Sequence, residues 1–233
     1  MELAARQSWL TCVARSVHRA VLRIYQRLIG PWRYNRLTIE RVDGRPLLIL
    51  PQVFNPKLLR TGVILAQVAL DQPALAGATV LDMGTGSGIG AVYAARKARR
   101  VVAVDINPEA VRCARLNALL QHVDDQVEVR QGDLFAPVFG ERFELILFNP
   151  PFFRGRPRDL LDYAWRSEDA VERFAVGLDE HLRPGGRALV LLSSDSDEAT
   201  FLRAFQTHGL RISVTARRNL WNETITIYCL ERA

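Results

Sequence analysis

From Thr79 onward, short apolar runs of strand type alternate with amphipathic helical segments, and this alternation constrains the fold more than any other feature of the chain. Strands are predicted over residues 79–83, 101–105, 126–130 and 143–148. A glycine loop and a helix to about residue 99 follow the first, a helix over 108–120 follows the second, and a helix spans about 167–182. Pro184-Gly185-Gly186 turns the chain into a strand over 187–192, and residues 197–208 are helical. Two last strands, about 211–217 and 223–230, are joined by a hairpin at 219–222. The expected fold is α/β: a doubly wound, mostly parallel, seven-stranded sheet with an antiparallel hairpin at its C-terminal edge. Ligands of such sheets lie beyond the carboxyl ends of the strands, where the strand order reverses.

Two smaller units precede this core, giving a division into residues 1–36, 37–70 and 71–233. Leu10, Val13, Val17, Val21, Ile24 and Leu28 recur at spacings of three and four, the pattern of an amphipathic helix, with Arg15, Arg19, Arg23 and Arg27 on the other side and Gly30-Pro31 as its stop. Seven arginines against one acid, Glu2, place the whole net charge of +6 in residues 1–36, while the rest of the chain balances 24 bases with 24 acids. This basic helical arm reads as a helix packed on its own domain with a solvated face, or as a contact for RNA, the ribosome, an acidic partner or a membrane surface. Residues 37–41 and 46–50 flank Asp43-Gly44, a hairpin signal, and Asn55-Pro56 caps a helix running to about Leu70.

An apolar fraction of 48% and a charged fraction of 24% are ordinary for a globular protein. Cys12, Cys113 and Cys229 have neither zinc-ligand nor redox spacing, and His18, His122, His181 and His208 do not cluster, so no metal site is expected. No apolar run approaches the roughly 20 residues that span a bilayer, and the N-terminus lacks a signal-peptide core. The expectation is a cytoplasmic protein without a transmembrane segment.

The loop after the first strand reads Val-Leu-Asp-Met-Gly-Thr-Gly-Ser-Gly-Ile-Gly, residues 80–90. Alone it fits a dinucleotide site, because Gly86-x-Gly88-x-x-Ala91 is followed 19 residues later by Asp105, and a nicotinamide-linked oxidoreductase is one reading. Asp82 argues for another, since it puts a carboxylate where a pyrophosphate would lie, and like charges repel. Asp105 can accept both hydroxyls of a ribose, and Asp133 an adenine amino group, with the Leu134 backbone donating beside it. Three acids at three successive strand ends suit an adenosyl ligand that is neutral or positive, and S-adenosylmethionine is such a ligand.

The fourth strand ends in Asn149-Pro150-Pro151-Phe152. The carboxamide oxygen of Asn149 and the carbonyl of Pro150 can each accept an N–H from an amide or amino group, leaving the nitrogen lone pair directed at an electrophile. Phe152 offers a flat face for stacking, and the prolines fix the geometry beforehand.

Asp82-x-Gly84-x-Gly86-x-Gly88, Asp105, Gly132-Asp133-Leu134-Phe135 and Asn149-Pro150-Pro151-Phe152, in this order, resemble the class I S-adenosylmethionine-dependent methyltransferases over about residues 79–233. Within them the chain looks most similar to the HemK-type protein-glutamine methyltransferases, which modify translation release factors. Relatives with this last motif methylate the amino groups of bases in DNA and RNA. The resemblance implies a Rossmann-like fold, S-adenosyl-L-methionine as cofactor, S-adenosyl-L-homocysteine as product, and N-methylation of a protein glutamine, with a nucleic-acid base or a small molecule as alternative acceptors. It implies Thr61, Asp82, Gly84, Thr85, Gly86, Gly88, Asp105, Ile106, Asp133, Leu134 and Asn149 as cofactor contacts, and Asn149, Pro150 and Phe152 as the acceptor clamp. The implied partner is a protein such as a release factor, or RNA.

Overall fold

The computed structural model describes residues 35–220 and 223–233; the helix expected over residues 9–29 lies outside them. β1 (Thr38–Val42) and β2 (Arg45–Ile49) pair antiparallel around Asp43 and Gly44, whose φ angles of 49° and 77° are both positive, as a two-residue hairpin turn requires. Asn55 then caps a helix by accepting the Lys57 N–H, with Pro56 in the first position.

That helix does not run unbroken to Leu70. Arg60, at φ 59°, divides it into α1 (Pro56–Leu59) and α2 (Thr61–Leu70). The Arg60 N–H donates to the Pro56 carbonyl at 2.8 Å and its own carbonyl accepts the Ile64 N–H at 2.9 Å, so the break leaves both groups satisfied. Tertiary packing accounts for the kink: a Cβ at Gly62 would stand 3.3 Å from both Ile89 and Pro56, an approach only a residue without a side chain makes easily.

The core follows in the order β3 (Thr79–Met83), α3 (Ile89–Ala94), β4 (Arg100–Asp105), α4 (Pro108–Leu120), β5 (Val127–Gln131), β6 (Phe143–Phe148), β7 (Phe153–Arg154), β8 (Arg166–Ser167), α5 (Ala170–His181), β9 (Leu182–Ser193), α6 (Glu198–Thr207), β10 (Leu210–Asn219) and β11 (Thr224–Arg232). Seven strands form one sheet in the order β10-β11-β9-β6-β3-β4-β5. β9, β6, β3, β4 and β5 are parallel, and β11 and β10 add antiparallel pairs at one edge, as expected. The order reverses at β3: the chain moves outward to β4 and β5, then returns to place β6 on the other side. A ligand crevice belongs there.

Strand periodicity of two builds the layers. Val80, Val101 and Ala103 face one apolar cluster with α2, α3 and α4, while Leu81, Met83, Val102 and Val104 face a second with α5 and α6. The β1–β2 hairpin closes a third cluster against α3 and α4 through Leu47, Ile49, Val92, Tyr93 and Cys113.

Three boundaries depart from expectation. α3 stops at Ala94 rather than near residue 99, because the Lys97 carbonyl accepts the Gly77 N–H and the Arg99 N–H donates to Ala78, both at 2.9 Å, pulling the chain back into β4. β9 begins at Leu182 and carries Pro184-Gly185-Gly186 as a bulge, with Phe143 opposite Leu182 but Leu145 opposite Arg187. α5 starts at Ala170 because Ser167 pairs with Arg154 in the small parallel β7–β8 piece, which has no sequence signal of its own.

Candidate active site

A cleft of about 360 Å³ opens at the carboxyl ends of β3, β4, β5 and β6. Asp82, Gly84, Thr85, Gly86, Asp105, Ile106, Asp133, Leu134 and Asn149 all line it. The sequence places these residues on four separate strand ends, and the reversal at β3 gathers them around one cavity.

Asp82, the last residue but one of β3, is buried, with only 5% of its surface exposed. Its Oδ2 accepts from the Thr85 hydroxyl at 2.6 Å and from the Ala91 N–H at 2.9 Å, tying the strand to the start of α3. Burial pushes its pKa up to about 6, against the pull of those two hydrogen bonds. Gly90 makes room for it: a Cβ there would lie 2.5 Å from Asp82 Oδ1.

Asp105 ends β4. Its Oδ2 accepts the Gly86 N–H at 2.8 Å and its Oδ1 the Asn107 N–H at 2.9 Å, so this carboxylate also shapes the glycine loop. Burial raises its pKa, and backbone donors oppose the shift. Each oxygen retains acceptor capacity after one such bond. Ile106, an exposed apolar side chain, forms the adjoining wall. Gly84 and Gly86 have φ of 65° and 55°, and a Cβ on either would meet nothing within 4 Å, so a ligand can approach their backbone closely.

Asp133, past the end of β5, is half-exposed and paired with Arg173 of α5, Nη2 to Oδ2 being 2.7 Å. Leu134 has φ 48°, an uncommon conformation for a branched side chain, where the chain turns at the cleft wall.

Asn149 follows β6. Its Nδ2 donates to the Thr61 hydroxyl at 3.3 Å, and its Oδ1 is shielded from solvent and accepts no hydrogen bond among the described residues. An unsatisfied buried acceptor is costly, which makes this oxygen a candidate contact for a ligand N–H.

Four of the expected residues stand outside the cavity lining. Gly88 caps α3 at φ 84° and serves helix packing, since a Cβ there would come within 2.8 Å of the Ala114 backbone. Thr61 is buried and supports Asn149. Pro150 is buried, and Pro151 lines the cleft in its stead. Phe152 packs half-buried against the apolar cluster of α2, α3 and α4 rather than offering a face to the cavity.

The cleft also contains residues the sequence reading passed over. Gln52 and Phe54 reach it from the segment between β2 and α1; the Gln52 carbonyl accepts the Asn107 side-chain N–H at 2.8 Å, and the Phe54 ring lies 5.1 Å from that of Trp165. Leu160 and Tyr163 come from the irregular segment after the Asn-Pro-Pro motif, and Arg173 from α5. Helix periodicity marks Asp169 and Arg173 as an i,i+4 pair, but nothing local signals the ion pair to Asp133, 40 residues away. Among the described residues, no helix is long and apolar enough to cross a membrane.

Over residues 46–213 the chain matches the methyltransferase small domain. A protein of Methanocaldococcus jannaschii described as an N5-glutamine methyltransferase is 30% identical over 188 residues, 77% of this chain and 91% of that one. The release factor glutamine methyltransferase of Cereibacter sphaeroides is 34% identical over 171 residues, 67% of this chain but 59% of that longer protein. Among solved structures, the 16S rRNA N2 G1207 methyltransferase of Thermus thermophilus, in complex with AdoMet and guanosine, superposes with a TM-score of 0.64 at 19% identity, covering 85% of this chain and 50% of that one. That last likeness establishes the fold.

Proposed function

Because this chain is a methyltransferase of the small-domain family, we propose that it transfers a methyl group from S-adenosyl-L-methionine to the side-chain amide nitrogen of a protein glutamine, of the kind carried by translation release factors. Support comes from two relatives bearing glutamine-methyltransferase names and from the chemistry of the cleft.

The residues present fit the cofactor. Gly84 and Gly86 leave open space against their backbone, Asp105 offers two oxygens for ribose hydroxyls, and Asp133 and Leu134 stand ready for the adenine edge. The buried carboxylate of Asp82 favours a cationic ligand nearby. When bound, S-adenosyl-L-methionine supplies a methyl group on positively charged sulfur and leaves as S-adenosyl-L-homocysteine.

The chain's own task is then to orient the acceptor. An amide nitrogen is a poor nucleophile because its lone pair is delocalised into the carbonyl. In this reading Asn149 Oδ1 accepts one amide N–H, which orients the amide and favours positive charge as it develops on nitrogen, and the nitrogen releases one proton to solvent once the methyl group is bonded to it. Thr61 holds the far end of the Asn149 side chain. The observation that carries the proposal is the Asn149 oxygen, an acceptor without a donor among the described residues, in a residue on the wall of the same cleft that Asp105 lines.

A second reading, methylation of an amino group on an RNA base, draws on the seven arginines of residues 1–36, which suit a polyanion. One experiment separates the two. The full chain is incubated with methyl-labelled S-adenosyl-L-methionine and either a release factor or ribosomal RNA, and the products are digested and mapped by mass spectrometry. Label on a single glutamine supports the proposal; label confined to a nucleobase replaces it with the second reading, and label on neither overturns both.

A further inference from the structure

We propose that Arg173 is a positioning residue for the adenine end of the cleft, clamping Asp133 by one carboxylate oxygen and leaving the other free to read an exocyclic amine. The inference rests on S-adenosylmethionine being the cofactor, and it assigns a role to a residue outside the strand-end motifs.

Arg173 stands near the start of α5, and its Nη2 lies 2.7 Å from Asp133 Oδ2. Its Nη1 is 3.8 Å from Asp169 Oδ1, one turn back on the same helix, so the guanidinium has a second anchor. Both partners of the Asp133 pair line the cleft. A half-exposed aspartate at a strand end would otherwise rotate and hydrate freely, and a carboxylate that must read one donor needs a fixed plane. Arginine suits the task because its planar fork fixes direction as well as charge.

Charge supports the same assignment. Asp82 and Asp105 take the hydrogen bonds described above from neutral groups, a threonine hydroxyl and backbone N–H groups, and keep their negative field. Asp133 is the member of the three that meets a guanidinium. Neutralisation thus falls on the acid assigned to the uncharged adenine, and the field survives at the two acids assigned to the rest of the ligand. Compensated in this way, Asp133 still accepts a hydrogen bond through Oδ1.

Calorimetry with two ligands tests the role. S-adenosylhomocysteine presents a 6-amino donor; S-inosylhomocysteine replaces it with a carbonyl that faces the carboxylate unfavourably. The intact chain is expected to prefer the adenine ligand by about tenfold or more, the usual cost of leaving a charged acceptor against the wrong partner. Arg173→Ala should bind the inosine ligand within about threefold of the intact chain while the preference for adenine falls to about threefold or less, and Arg173→Lys should recover part of it. A purely structural role would weaken both ligands equally, and that result, an unchanged preference in Arg173→Ala, or no preference in the intact chain would overturn the proposal. Failure of the intact chain to bind S-adenosylhomocysteine at all would instead remove the cofactor reading beneath it.

Discussion

The Asn149 side chain gives its amide N–H to the Thr61 hydroxyl at 3.3 Å and presents an oxygen that accepts nothing among the described residues. The two ends of one carboxamide therefore have different roles. The nitrogen is engaged by the protein, and in the proposed reaction the oxygen receives an N–H of the methyl acceptor. Asn149→Ala removes that oxygen and should lower kcat by about 10²–10³-fold, the range for loss of one preorganised group at a developing charge. Affinity for S-adenosylhomocysteine should stay near that of the intact chain. Turnover within a few-fold of normal would mean that the Asn-Pro-Pro turn is architectural.

Thr61→Val keeps the shape of a buried side chain and deletes the group that receives the Asn149 N–H. The expected cost is about 1 kcal/mol, one ordinary hydrogen bond, or roughly fivefold in kcat. Because Thr61 stands outside the cavity lining, S-adenosylhomocysteine should bind as before. Loss of cofactor affinity with kcat preserved would instead place Thr61 at the methionine end of the ligand, as the family resemblance implies.

Asp105 bonds to the glycine loop at Gly86 and to the backbone at Asn107, besides facing the cleft. Its replacement by alanine should therefore weaken S-adenosylhomocysteine by about 100-fold or more, since lost ribose contacts add to a loosened loop. Asn is no substitute at this position: its amide nitrogen would meet one of two N–H donors head-on. Asp105→Asn should accordingly bind little better than the alanine variant by calorimetry, and full affinity in either variant would refute the ribose assignment.

Much of this site was legible because the sheet repeats one device. Asp82 is the last residue but one of β3, Asp105 closes β4 and Asn149 follows β6, and each stands out in the sequence as a polar residue at the end of an apolar run. α4 has the bounds expected over residues 108–120, and the structure shows Asn107 as its cap and Pro108 in its first position. What stayed hidden depends on contacts between distant segments. The break at Arg60 reflects Gly62 packing near Ile89, and local propensity through Lys-Leu-Leu-Arg favours a continuous helix. The segment from 150 to 169 has neither helical nor strand periodicity, so its contribution of Leu160 and Tyr163 to the cleft left no mark. The stacking face expected of Phe152 is absent from the cleft because its ring completes the apolar cluster beneath the motif.

Asp82 offers the last prediction, in which stability and function oppose one another. Its Oδ2 takes both the Thr85 and Ala91 hydrogen bonds, and the single oxygen of an asparagine could take the same two. Asp82→Asn should thus keep the local structure and lose the buried charge. Burial raises the folded pKa from 3.8 to about 6. Below pH 3.8 both the folded and unfolded chains hold the proton, and the shift has no effect. Between pH 3.8 and about 6 the unfolded chain releases its proton first, so this group's contribution falls as pH rises, and above about 6 the loss is complete. At 1.36 kcal/mol per pKa unit, the asparagine variant should gain up to about 3 kcal/mol on the intact chain at pH 7 and almost nothing at pH 3.5. Urea midpoints of both proteins at the two pH values measure it. Asp82→Asn should also bind S-adenosylmethionine more weakly, because the negative field opposite its cationic end is gone. A variant that is more stable at pH 7 and poorer at binding would establish that the buried carboxylate is retained for the ligand; equal stability at both pH values would show that the charge is already solvated.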